Sequence, residues 1–146
     1  MPNYWKKRHP NKKERRGLGR YRSKFEKRIG EAFEDNKMPF GYEEMKIKYT
    51  VPETEHSYTP DFFLEKKDGT DMIIEAKGVF DSADRKKHLL VKQQHPELDI
   101  RFIFYNSNSK IYSGSKTTHG AWAKQHGFKF ANSNFPARWR LELKKK

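Results

Sequence analysis

A chain of 146 residues can build one domain with a core of its own and is too short for two ordinary ones. Charged residues make up 35% of it and apolar ones 34%, but the 14% of aromatic residues excludes a disordered polyelectrolyte and points to a folded middle. The formal charge of +13 sits on the ends, with +9 in residues 1–24, +4 in residues 138–146 and a neutral segment between, while the absence of cysteine excludes disulfides, thiolate zinc sites and cysteine nucleophiles.

Residues 1–22, including "KKRHPNKKERRGLGRYR", read as a basic flexible arm. Its Arg15, Arg16, Arg20 and Arg22 are candidate DNA contacts, because such an arm can follow a polyanion and release its counterions; a solubilising tail is the alternative. The "GLG" has no strand before it and makes a poor phosphate loop. Residues 23–139 read as the folded domain and 140–146 as a basic tail.

From Ser23 the pattern turns helical. Phe25, Ile29, Ala32 and Phe33 share one face, Ser23 and Glu26 form a capping box, and the helix runs to about Asn36. Ile47, Tyr49 and Val51 alternate with polar residues as in a half-buried strand that Pro52 closes. "YTPDFFL" and "DMIIEAK" are two strands joined by a tight turn at Asp68 and Gly69. A helix begins at Asp81 or Ser82 and stops before Pro96. "IRFIFY" is a buried strand, "KIYS" a short one, "THGAWAKQHG" a helix closed by Gly127, and "FKF" a last strand. Helices interleaved with a small mixed sheet make an α/β domain. No apolar stretch is long enough to span a membrane and the N-terminus has no signal-peptide core, so a soluble, intracellular, cytoplasmic protein without a membrane partner is expected.

The turn centred on residue 68 sets Asp61 opposite Glu75. Alternation then puts Asp61, Glu75 and Lys77 on one face and Phe62, Leu64, Met72, Ile74 and Ala76 on the core face, with Phe63 and Ile73 partly covering the charged face at its far end. Facing acids about 4.5–5.5 Å apart at Cα repel unless a cation lies between them. Mg²⁺ suits such a pair, because it takes oxygen ligands and commonly binds one or two carboxylates together with phosphate oxygens. Lys77, about 6.6 Å further along the same face, could stabilise charge gathering on a phosphate. The plain alternative is an Asp61–Lys77 ion pair with Glu75 in solvent. The "DRKKH" run, with Arg85, Lys86, Lys87 and His88, could grip phosphates or form a solvated helix face. His119 and His126 read as surface histidines, Trp122 and Phe128 as core.

Pro60-Asp61, thirteen residues, then Glu75-Ala76-Lys77 resembles the signature of the PD-(D/E)XK nucleases. "YEEMK", "YTPDF", "EAKG" and above all "DRKKHLLVKQQHPELDIR" extend the resemblance, from about Tyr21 to Trp139, to the phage junction-resolving endonucleases. The resemblance implies a mixed central sheet flanked by helices, in an intertwined homodimer with segment 23–51 exchanged. It implies a divalent-metal-dependent endonuclease that recognises four-way and other branched DNA rather than any small molecule, and nicks opposing strands to leave 5′-phosphate and 3′-hydroxyl ends. Asp61, Glu75 and the Ala76 carbonyl would hold Mg²⁺ or Mn²⁺, Lys77 would be catalytic, and Glu26 would contact metal or water from the partner chain. From the residues alone Glu26 reads as a helix cap. A further family glutamate aligns with Gly41 here, so a fourth carboxylate stays unassigned, with Glu43 and Glu44 nearby. A duplex-cutting nuclease and a non-catalytic basic nucleic-acid-binding protein are the other readings.

Overall fold

The computed structural model describes residues 18–51 and 54–145. Helix α1 (Lys24–Asp35) starts where the capping box places it, with the Ser23 hydroxyl accepting from the Glu26 amide. Strand β1 (Gly41–Tyr42) follows, then β2 (Ile47–Val51) and β3 (Thr54–Tyr58), β4 (Phe62–Glu65), β5 (Asp71–Lys77), α2 (Ser82–Gln94), β6 (Asp99–Phe104), α3 (His119–Gln125), β7 (Lys129–Asn132) and a short α4 (Ala137–Arg140). The main sheet has the order β1-β4-β5-β6-β7. Pairing is antiparallel from β1 through β5 and parallel from β5 to β7, the mixed sheet of an α/β domain.

The β4–β5 register agrees with a turn centred on residue 68, since Phe62 pairs with Ile74 and Leu64 with Met72. Gly69, at φ +86°, supplies the left-handed residue the turn requires. The expected strand "YTPDFFL" is divided, because Tyr58 ends β3 and Phe62 begins β4. Pro60 has no amide hydrogen for a ladder, so the chain breaks between them. β2 and β3 form a separate two-stranded sheet docked on the end of α2, where Gln94 bonds the Thr50 carbonyl and the His95 ring contacts the Lys48 carbonyl. "KIYS" is no strand; one bridge, Lys110 to Thr118, is all that forms there.

Both faces of the main sheet are covered. Ile29 and Phe33 of α1, with Phe135 and Trp139, pack on Phe62, Leu64, Met72 and Ile74. On the other face Val91, Trp122, Phe80 and Phe128 pack on Ile73, Phe102 and Phe104. The boundaries of arm and tail move accordingly. Leu18 and Tyr21, inside the expected arm, are buried, and Leu143 in the expected tail is buried too, with the Lys144 amide donating to the Glu65 carbonyl. Isolated apolar residues among charges carry no periodic signal, which is why these anchors escape a pattern reading. Arg15 and Arg16 lie outside the described residues.

Candidate active site

The site forms where β4 begins and β5 ends. Asp61 and Glu75 lock the two strands together by a reciprocal pair of bonds: the Asp61 amide donates to Glu75 Oε2 at 2.8 Å, and the Ala76 amide donates to Asp61 Oδ2 at 2.9 Å. Both carboxylates are buried, at 1% and 0% exposure. Glu75 is therefore not in solvent, and the ion-pair alternative of the sequence fails. The nearest carboxylate oxygens to Lys77 belong instead to Asp84, at 3.2 Å from Nζ, and Glu75, at 3.5 Å. Burial disfavours the Lys77 ammonium, but Glu75 and Asp84 more than offset it and raise its pKa above the ordinary lysine value. Lys77 is thus a cation at neutral pH, suited to meeting negative charge and unsuited to serving as a base.

On the α1 side a second group of acids meets Asp61. One oxygen each from Glu26, Glu43 and Asp61 lies within 4.8 Å of the others. Glu26 is buried in the first turn of α1, 3.4 Å from Ser23 Oγ, and accepts from the Tyr42 hydroxyl at 3.0 Å. Burial and then the Glu26 charge push the Tyr42 hydroxyl far above its ordinary pKa, so it remains a donor. Glu26 thus keeps its capping geometry and also reaches the acid cluster. A single chain brings Glu26 and Asp61 together.

Glu43 is the residue that sequence reasoning left open. At position 41 a side chain has no room, since a Cβ there would lie 2.1 Å from the Phe63 ring. Glu43 instead takes a left-handed backbone, φ +54°, while its amide donates to the Asp61 carbonyl at 3.1 Å. A non-glycine residue in that region carries strain of order 1–3 kcal/mol, held here by the β1–β4 pairing. Its Oε2 pairs with Arg22 Nε at 2.7 Å and its Oε1 is buried without a hydrogen-bond partner among the described residues. The available signal was the acid pair after a β1 glycine; strand alternation could not predict the turn of the backbone.

The basic run on α2 is mostly turned to other work. Arg85 donates to the Phe80 and Ile111 carbonyls and so pins the loop after β6. Lys87 is buried, 3.8 Å from Asp84 and over the Tyr58 ring. His88 is fully buried, edge-on to Tyr58 and Phe102, with Nε2 3.7 Å from Glu75 Oε1. A side chain so enclosed cannot grip DNA, and the expected phosphate contact at His88 is withdrawn; it backs Glu75 instead. Lys86 alone of this run is exposed. Of the arm residues described, Arg20 is exposed over the Phe40 ring and Arg22 holds Glu43. His119, expected on the surface, is buried against Phe80 and Phe104, and burial followed by the Arg85 charge lowers its pKa.

With this geometry established, the relatives become informative. A family model described as phage endonuclease I matches residues 7–146. The chain belongs to the phage endonuclease I family. It is 45% identical over 130 residues to Endonuclease I of Escherichia phage T7, covering 89% of this chain and 85% of that protein. It is 46% identical over 125 residues to Endodeoxyribonuclease 1 of Enterobacteria phage T3, covering 86% of this chain and 80% of that protein. Among the described residues no helix is long and apolar enough to cross a membrane.

A divalent cation fits the acids. Two buried carboxylates, Glu26 and Asp61, and the partly buried Glu43 lie within 4.8 Å of one another, and their donors are all oxygen, as Mg²⁺ and Mn²⁺ prefer.

Proposed function

We infer that this phage endonuclease is a metal-dependent, structure-selective nuclease that nicks branched DNA, four-way junctions included, by hydrolysing a phosphodiester bond on each of two opposing strands. The observation that carries the reading is the convergence of Asp61, Glu75 and Lys77 at one end of the β4–β5 pair, where Glu26 and Glu43 also meet Asp61.

Asp61, Glu26 and Glu43 would hold a divalent ion, with Glu75 and the Ala76 carbonyl on the β5 side of the same site. When bound, such an ion lowers the pKa of a coordinated water and neutralises phosphate charge. Lys77 Nζ, protonated and held between Glu75 and Asp84, meets the extra negative charge that develops on the phosphate oxygens. The Asp61 and Ala76 amides keep both carboxylates aimed without a search through rotamers. In-line attack by water then leaves a 5′-phosphate and a 3′-hydroxyl. The cationic ends supply affinity through phosphates, which position the enzyme without reading bases, so selectivity for branches comes from shape.

The proposal includes an intertwined homodimer. Its support is the family resemblance and the local design: the β2–β3 hairpin stands apart from the main sheet, and an exchange of segment 23–51 between two chains would re-form the same contacts in trans. Two sites about one axis suit a junction with two equivalent strands. Mixing Glu26→Ala with Glu75→Ala chains tests this. Exchange predicts recovery of single-strand nicking in the mixed dimer, whereas sites built within one chain recover nothing.

The function itself is tested by incubating a four-way junction with Mg²⁺ or Mn²⁺. Wild type should nick it with paired symmetry, and Glu75→Ala and Lys77→Ala should bind it without cutting. Equal cutting of linear duplex would favour a general duplex nuclease. Binding without any cutting, with or without metal, would favour a non-catalytic nucleic-acid-binding protein.

A further inference from the structure

Beside the acids lies a surface feature that the cleavage chemistry does not use. Tyr105, just past β6, is 61% exposed, although most aromatic side chains of the domain are buried. Its backbone is held to the catalytic strand, the amide donating to the Lys77 carbonyl at 2.8 Å. Its ring stands edge-on to Phe25, at 5.7 Å and 86°, and Phe25 precedes Glu26 on α1. Arg28, one turn on, sets its guanidinium 5.2 Å from the Phe25 ring centre and 6.0 Å from that of Tyr105. That guanidinium is anchored by neutral groups, donating to the Ser133 carbonyl at 2.9 Å and its hydroxyl at 3.1 Å. Ser133 is itself placed by a left-handed backbone, φ +69°, and by its amide bond to the Phe104 carbonyl. No carboxylate among the described residues lies within ion-pair distance of Arg28.

We propose that Tyr105, Phe25 and Arg28 form a nucleotide-binding pad that takes one unstacked nucleotide at the branch point, its base on the Tyr105 face and its phosphate at Arg28. A solvent-facing flat ring beside an exposed guanidinium without a carboxylate partner matches the two halves of a nucleotide, a π-face and an anion. Base pairs within a continuous duplex show only their edges, so a stacking ring gains nothing from linear DNA. At a branch the terminal bases have lost a stacking neighbour and can offer a face. The pad bridges the helix of Glu26 and the strand of Lys77, so the captured nucleotide would be registered against the reacting phosphate. The pad therefore discriminates branched from linear substrate by a contact as well as by overall shape. It rests on the branched-DNA reading above and sharpens it.

A double-mutant cycle tests the pad. Full-length wild type and Tyr105→Ala are titrated, in EDTA so that nothing is cut, with a four-way junction and with the same junction carrying abasic nucleotides flanking the branch. Wild type should lose about ten-fold in affinity on abasic substitution, in line with base–aromatic stacking, and Tyr105→Ala should bind both junctions equally, at the weakened level. Tyr105→Phe should behave as wild type. Arg28→Gln should lower the slope of log affinity against log salt by about one, as the loss of one phosphate contact does. Additive effects of the abasic and Tyr105→Ala changes, or a Tyr105→Ala protein that binds like wild type, would overturn the pad while leaving branch selectivity standing. A wild type that binds junction no better than linear duplex would overturn the branched-DNA reading and the pad with it.

Discussion

Two charge clusters, each built around buried members, occupy opposite ends of the central strands, and they are composed differently. At the start of β6 the guanidinium of Arg101, fully buried, forks onto Glu142 at 2.6 and 2.8 Å and onto Asp99 at 2.7 and 2.9 Å, while Lys66 meets Asp99 at 3.0 Å. Two cations face two carboxylates, and the Trp139 ring covers the guanidinium. At the end of β5, among the described residues, Lys77, Lys87 and Arg22 lie beside the carboxylates of Glu26, Glu43, Asp61, Glu75 and Asp84. Balanced burial ties the C-terminal segment to the sheet. Acids gathered in one place with oxygen donors make a candidate cation site, so the second cluster is where we place the proposed chemistry.

The comparison breaks most sharply through catalysis. Lys77→Ala should lower cleavage by about 10²–10³ or more while junction affinity changes little, as quantitative cleavage and gel-shift titrations would show. Next comes stability: Arg101→Ala leaves Asp99 and Glu142 without their shared partner and should cost about 3–5 kcal/mol, seen as a lower unfolding midpoint in urea. A smaller effect on stability is expected at the other cluster. Glu43→Gln removes one acid of the Glu26–Glu43–Asp61 group together with a partly exposed ion pair to Arg22, so the metal-free protein should melt close to wild type, yet its Mn²⁺ affinity should fall by about ten-fold or more. Acid gives the smallest effect. Burial alone would raise the Asp99 pKa, but bonds from Arg101 and Lys66 win and hold it at about 2, below the ordinary 3.8. Its contribution to stability is present above about pH 4 and is lost as pH falls toward 2; Asp99→Asn should flatten that part of the stability profile measured by denaturant titration.

How legible each cluster was in the sequence follows from the range of the interactions. The Asp61–Glu75 pairing was readable because one Asp-Gly turn sets the register of both strands, and alternation does the rest. Lys77 came with it. Glu43 did not, because its reach depends on a left-handed backbone next to a glycine packed under Phe63, and neither is visible in a hydrophobic pattern. Asp84 was not singled out, because its pairing with Lys77 depends on how α2 returns across the sheet. The burial of His88 was hidden by charged neighbours, since a histidine in a Lys-rich helix looks solvated until the helix docks, and that of His119 depends on how the start of α3 meets Phe80 and Phe104. Arg101 with Glu142 joins residues 41 apart and had no local signal at all.

The most direct test of the proposed cation site is a calorimetric titration of the full-length protein with Mn²⁺. The account predicts saturable binding by wild type that is abolished in Asp61→Asn, the residue both groups of acids share. Uptake by Asp61→Asn equal to that of wild type, or none by wild type, would contradict it.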